Sequence, residues 1–185
     1  RFRLTVAALR ATGENNLTQA PAYDYRLGIG DSLLGLFQAG TQGELDFSGE
    51  QVEEFLYSAE DIDRYHGILN PGQYHVVVGN PPYITVKDKA LKDRYRQLYP
   101  DACAGKYALS APFAEAFFRL ARRADASGGA GYVGQITSNS FMKREFGKKL
   151  IEKVLSGQSL STPVDLGLVI DTSGAYIPGH GTPTV

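Results

Sequence analysis

Four consecutive residues, Asn80-Pro81-Pro82-Tyr83, directly follow the apolar run Val76-Val77-Val78-Gly79. Their types suit one kind of chemistry. An asparagine side chain supplies an acceptor oxygen with two lone pairs. Prolines donate no N–H and hold φ at about −65°, so the turn is stiff and its carbonyls point in fixed directions. The tyrosine adds a flat ring. Together they fit a planar heterocycle carrying an exocyclic amino group. Its two N–H hydrogens would be accepted by the Asn80 side-chain oxygen and the Pro81 carbonyl, and its ring would stack on Tyr83. Such acceptors favour a nitrogen whose lone pair is less delocalised and more nucleophilic. Methyl transfer from a sulfonium donor then needs no strong base, and the load falls on positioning and electrostatics. The plainer alternative is that Asn-Pro-Pro only ends a strand, because both residue types are common in turns.

The elements around the tetrad must hold it at an edge. The apolar run 74–79 reads as a parallel strand covered on both faces. Residues 87–100, "KDKALKDRYRQLYP", form a basic helix ended by Pro100. Leu109, Phe113, Ala116, Phe117 and Leu120 fall on one helical face, with Ser110 near the N-cap and Pro112 tolerated in the first turn. "DASGGAG" breaks that helix, a strand follows at 131–137, and "MKREFGKKLIEKVLS" reads as one basic helix. A third strand is expected at 164–170. Strand–helix–strand order predicts parallel neighbours joined by right-handed crossovers, with Asn80 at the carboxyl edge where open α/β sheets bind ligands. Upstream, 2–10 has helical spacing, and 23–30 has alternating character before Asp31-Ser32. The fold class is α/β, a doubly wound, mostly parallel sheet.

Composition sets outer bounds. The 185 residues suffice for one domain with a sizeable core, and a net charge of −1 argues against binding nucleic acid by charge alone. No apolar run approaches the roughly 20 residues that span a bilayer, so no membrane partner is expected. The lone Cys103 fits a reducing compartment, and the expected location is cytoplasmic. Position 1 is arginine and the single methionine is Met142, so the chain reads as a segment of a longer protein, truncated at its N-terminus.

"VVVGNPPY" resembles the D/N-P-P-Y/F motif of S-adenosylmethionine-dependent amino methyltransferases, in particular the adenine-N6 DNA methyltransferases. The segments "KYALSAPFAEAFFRLARRADASGGAGYVGQITSNSFM" and "VDLGLVIDTSGAYIPGHGTPTV" are similar to the helix–loop–strand and the later strand that come after this motif in restriction-modification enzymes. With "IPGHGTPTV" included, the pattern resembles the adenine methyltransferases of BREX and phage-growth-limitation defence systems. It covers 24–185 of a partial catalytic domain spanning 1–185, with 40–65 an acidic polar connection or insertion. The resemblance implies a Rossmann-like methyltransferase fold, S-adenosyl-L-methionine as cofactor and double-stranded DNA as substrate, with other defence-system subunits as further partners. It also implies that Asn80 and Pro81 hold the target amino group and that Tyr83 stacks on the flipped adenine. Pro82 would line the methyl-sulfonium end, Asp31 would accept from the cofactor adenine, and Tyr176 would stack on the base from a later loop.

The chain departs from that family in one respect. A glycine-rich methionine-binding loop would lie upstream, and Gly28-Ile29-Gly30 is the one candidate for it. The expectation is that half of the cofactor site lies outside the chain. Other classes stay open: an N5-glutamine protein methyltransferase, an RNA adenine methyltransferase, or a non-catalytic DNA-binding scaffold. His66, His75 and His180 lack zinc spacing with Cys103, so no metal is expected. "SGGAG" precedes a strand instead of following one, the wrong context for a phosphate loop. The basic stretches 87–96 and 143–153 could face DNA phosphates, although charged helix faces are more often just solvated.

Overall fold

The computed structural model describes residues 2–13, 16, 18, 23, 25–28, 30–39, 67–126 and 128–158. These fall into two compact units, one holding the described residues up to Asp31 together with 67–68, the other those from Ser32 to Ala39 and from Leu69 onward.

In the first unit, α1 spans Phe2–Thr12 as its spacing predicts, but none of its residues is buried. Tyr25 donates its hydroxyl to the Leu4 carbonyl at 3.0 Å, and the Tyr23 and Tyr25 rings stack with centroids 5.8 Å apart. Residues 25–28 are not a strand, contrary to the alternating pattern. Alternation marks a strand only where a neighbouring strand takes its backbone groups.

The second unit begins with α2 (Ser32–Ala39) and contains β1 (Val76–Gly79), α3 (Lys89–Leu98), α4 (Ser110–Leu120), β2 (Tyr132–Gln135), α5 (Ser140–Lys143) and α6 (Gly147–Lys149). A π-helical turn, Leu150–Leu155, continues from α6. β1 and β2 pair in parallel, from Val76 opposite Tyr132 to Gly79 opposite Gln135. Parallel pairing needs a crossover, and α3 and α4 supply it. Asp88 caps α3 by accepting from the Leu91 N–H at 2.7 Å. The residue before α4 is Leu109 rather than Ser110, with no side-chain cap. Pro112 falls in the first turn, where no helical N–H bond is lost.

α4 covers one face of the pair. A Cβ on Gly79 would stand 2.5 Å from the Phe117 ring, so only glycine lets the strand lie this close. The opposite face carries Val76, Val78, Tyr132 and Ile136, all exposed. The expectation of cover on both faces therefore does not hold among the described residues. The main core lies instead between α2, α3, α4 and the α5–α6 region, around Leu33, Tyr99, Cys103, Tyr107, Ala111 and Val154. The Tyr99 hydroxyl reaches the Leu33 carbonyl at 2.7 Å and ties α2 to the end of α3.

The basic stretch after β2 is not one helix. It breaks at Arg144–Phe146, between α5 and α6. A Cβ at Gly147 would sit 1.8 Å from the Phe141 carbonyl oxygen, so the chain folds back on itself at a point only glycine can occupy. The third expected strand, 164–170, lies outside the described residues.

Candidate active site

β1 delivers Asn80 to the carboxyl edge of the sheet. The last rung of the ladder runs from the Ile136 N–H to the Gly79 carbonyl at 3.1 Å. Pairing stops there because Pro81 and Pro82 have no N–H to continue it. Pro81 is buried and anchors the turn, while Asn80 and Pro82 are exposed and Tyr83 is half-buried. The far end of the loop is fixed twice more: the Leu109 N–H bonds the Ile84 carbonyl at 2.9 Å, and Asp88 caps α3. The Gln135 side-chain amide donates to the Ser110 carbonyl at 3.2 Å, which brings the start of α4 to the same edge.

Within this frame Tyr83 donates its hydroxyl to Asn80 Oδ1 at 2.7 Å, and the same hydroxyl lies 3.5 Å from the Ile136 carbonyl. Partial burial raises the Tyr83 pKa, so the hydroxyl stays a donor at neutral pH. An amide oxygen has two lone pairs, so Asn80 keeps one acceptor site while Tyr83 fills the other. The donated bond also fixes which end of the amide faces the tyrosine.

Residue patterns did not single out the segment after β2. Thr137, Ser138 and Asn139 are buried, and Thr137 Oγ1 and Asn139 Nδ2 have no hydrogen-bond partner among the described residues. Such groups normally find one. Their position immediately after a parallel strand, at the edge where α/β sheets bind ligands, is the signal that could have found them.

Asp31 directly precedes α2 and belongs to the first unit. Neither Gly28 nor Gly30 takes the positive φ that would mark it as a glycine-only turn position. Tyr176, His66 and His180 lie outside the described residues. Of the basic stretches, α3 is engaged internally through Arg96, which bonds Asp93 at 2.7 Å and the Gly105 carbonyl at 2.9 Å. Among the described residues no helix is long and apolar enough to cross a membrane, and no group of three or more His, Cys, Asp or Glu side chains could hold a metal ion.

A second polar cluster lies inside the core. Glu115 on α4 is fully buried and takes a bond from Arg119 Nε at 3.1 Å, while the Arg119 guanidinium sits over the Tyr99 ring at 5.5 Å. Burial pushes the Glu115 pKa up and the nearby Arg119 charge opposes that rise. Burial, reinforced by the Glu115 carboxylate, pushes the Cys103 thiol up to about 12. Both groups brace the 99–107 turn against α4, within the core.

Residues 32–169 match the family model described as Eco57I restriction-modification methylase. The adenine-specific methyltransferase PglX of Streptomyces coelicolor is 58% identical over 191 aligned positions, which cover all of this chain and 15% of that protein. The chain thus spans about one seventh of the length of this curated relative. No solved structure gives a significant match.

Proposed function

Because the chain belongs to the Eco57I restriction-modification methylase family, we propose that it carries the target-base side of an adenine-N6 DNA methyltransferase serving phage defence or restriction-modification. The observation that carries this reading is Asn80. Its acceptor oxygen is oriented by Tyr83 at the carboxyl edge of a parallel sheet, directly after an apolar strand. Duplex DNA requires the adenine to leave the stack before its amino group can be reached. Asn80 Oδ1 and the Pro81 carbonyl then accept its two N–H hydrogens, and the Tyr83 ring supports the base face. The amino nitrogen would bond the donor's methyl carbon as the carbon–sulfur bond breaks and its electron pair goes to sulfur; the proton lost from nitrogen would pass to water, while Asn80 and Pro81 act by orientation and by charge.

S-adenosylmethionine, when bound, supplies the electrophilic methyl group. Pro82 is an exposed, rigid apolar surface beside Asn80, and Asp31, in the other unit, is proposed on the family resemblance alone. Pro82 would shield the reacting methyl from water, and Asp31 would accept from the cofactor's adenine amino group. Tyr176 remains the proposed second stacking ring.

The test is transfer of labelled methyl from S-adenosylmethionine by the intact protein, with duplex DNA, RNA and protein substrates offered side by side. N6-methyladenine in the duplex is the expected product. Label confined to RNA or to glutamine side chains would overturn the DNA reading, and duplex binding without any transfer would favour a scaffold.

A further inference from the structure

The edge that carries Asn80 leads into a second feature. Beyond β2, the bend between α5 and α6 forms an open depression of about 290 Å³, with Met142, Lys143, Arg144, Lys148 and Ile151 in its lining. Three cations line it together with Glu152, which lies 3.9 Å from Lys148, and Glu145 follows Arg144 in the bend. Among the described residues the side chains of Lys143 and Arg144 make no ion pair.

The bend is held rigidly. The Arg144 N–H bonds the Ser140 carbonyl and the Gly147 N–H bonds the Arg144 carbonyl, both at 3.0 Å, and Gly147 packs against the Phe141 backbone. Its distance from the site is bounded by the chain itself. Ile136 touches the Tyr83 hydroxyl, and Arg144 comes eight residues later. Four extended steps and four helical ones reach at most about 20 Å. Phosphates along one DNA strand recur every ~3.4 Å of helix axis. The Arg144 backbone therefore lies within about 20 Å of Ile136, a span of about six phosphates along one strand.

We propose that this depression takes a backbone phosphate of the DNA strand that carries the target adenine, a proposal that rests on the DNA methyltransferase reading above. Arg144 is the forked donor matched to phosphate oxygens, and Lys143 and Lys148 act as point charges. Met142 and Ile151, both well exposed, provide the apolar surface for the adjoining deoxyribose. A phosphate held here carries no sequence information and fixes the register of the duplex on the sheet edge.

The experiment uses the intact protein and measures affinity for an adenine-containing duplex as a function of salt, with cofactor binding measured in parallel. In the Lys143→Gln/Arg144→Gln double variant the slope of log affinity against log salt should fall by about 0.9 for each phosphate no longer neutralised, with cofactor affinity unchanged. Arg144→Lys should keep most of the slope while losing affinity several-fold, because the charge remains and the fork does not. Lys153→Gln, which removes a cation outside the depression, should match wild type. A double variant with wild-type slope would overturn the proposal, as would an equal loss in Lys153→Gln. Should the double variant also lose cofactor binding, Arg144→Lys decides: unchanged duplex affinity there overturns the proposal. Wild type that methylates adenine while the variants bind like wild type defeats the phosphate site alone. Wild type that neither binds duplex nor methylates it defeats both readings.

Discussion

Tyr83 donates its hydroxyl to the side-chain oxygen of Asn80 at 2.7 Å, three residues apart across a turn containing two prolines. The ring and the amide are thus one unit. From residue types alone the tyrosine needs only its face, yet here its hydroxyl also sets the orientation of the acceptor that the target amino group would use. A free asparagine amide can present either its oxygen or its NH₂, and an NH₂ in that place would repel an amino substrate.

Tyr83→Phe separates the two roles. It keeps the ring and removes the orienting bond, whose net worth is about 0.5–1.5 kcal/mol. The expected result is a turnover lowered by up to about tenfold, with cofactor affinity unchanged. Tyr83→Ala should be worse, because the stacking surface goes too, at about 1–3 kcal/mol per base. Single-turnover methylation of a duplex by both variants checks the order. Equal turnover in the two variants would show that the ring face contributes nothing.

Glu115 should report its burial through pH. Its folded pKa is raised, so the folded state favours the protonated carboxyl. That contribution is fully present below the unfolded value of about 4.3 and is lost as pH rises through the folded pKa. Relative to Glu115→Gln, which cannot ionise, wild type should therefore lose stability as pH rises above about 4 and through the folded value. Amide-exchange protection of 99–120, compared between the two proteins at each pH, measures this. A difference that does not vary with pH would mean that the carboxyl titrates alike folded and unfolded.

Cys103 should be inert in the folded protein. It is buried and its thiol is pushed up to about 12, so almost no thiolate exists at pH 8. The nucleophile in thiol modification is the thiolate. Alkylation should proceed only after denaturant is added, and rapid reaction of the native protein at pH 8 would contradict the packing of the 99–107 turn.

Where local chemistry decides, the sequence was readable. Val76–Gly79 and Tyr132–Gln135 pair in parallel as their apolar runs and intervening helical patterns imply. The α3 helix stops before Pro100 as breaker chemistry implies, although it begins at Lys89 after the Asp88 cap and not at Lys87. Asn80 stands at the carboxyl edge because two prolines end the ladder. Where packing between residues distant in sequence decides, it was not. The break between α5 and α6 depends on how close the Phe141 backbone comes to Gly147, and nothing in a basic helical repeat announces that. The face of β1 and β2 that no described residue covers escaped for a similar reason: a run of valines tells that a strand is apolar, not which neighbour covers it. The Tyr83–Asn80 bond needs the turn's actual geometry. Spacing alone places the two residues near each other without aiming the hydroxyl.

Asn80→Ala is the decisive substitution, and it applies to the intact protein. The Asn80 oxygen is proposed to act on the target amino group as positive charge develops on nitrogen, so its loss should appear in the chemical step and not in ground-state binding. Removing one well-placed polar group of this kind costs about 10²–10³ in rate. Cofactor affinity should stay within a few-fold, because the side chain is exposed at the edge and carries no core packing. The same substitution frees the Tyr83 hydroxyl, which keeps the Ile136 carbonyl within 3.5 Å as an alternative acceptor, so the loop should hold its place. If Asn-Pro-Pro-Tyr merely terminates β1, Asn80→Ala changes stability modestly and leaves the specific activity of the folded fraction intact. Single-turnover methylation of an adenine-containing duplex, with cofactor binding measured on the same preparations, distinguishes the two. Turnover near wild type in Asn80→Ala would remove the amide from the chemistry and leave the tetrad as a strand terminator.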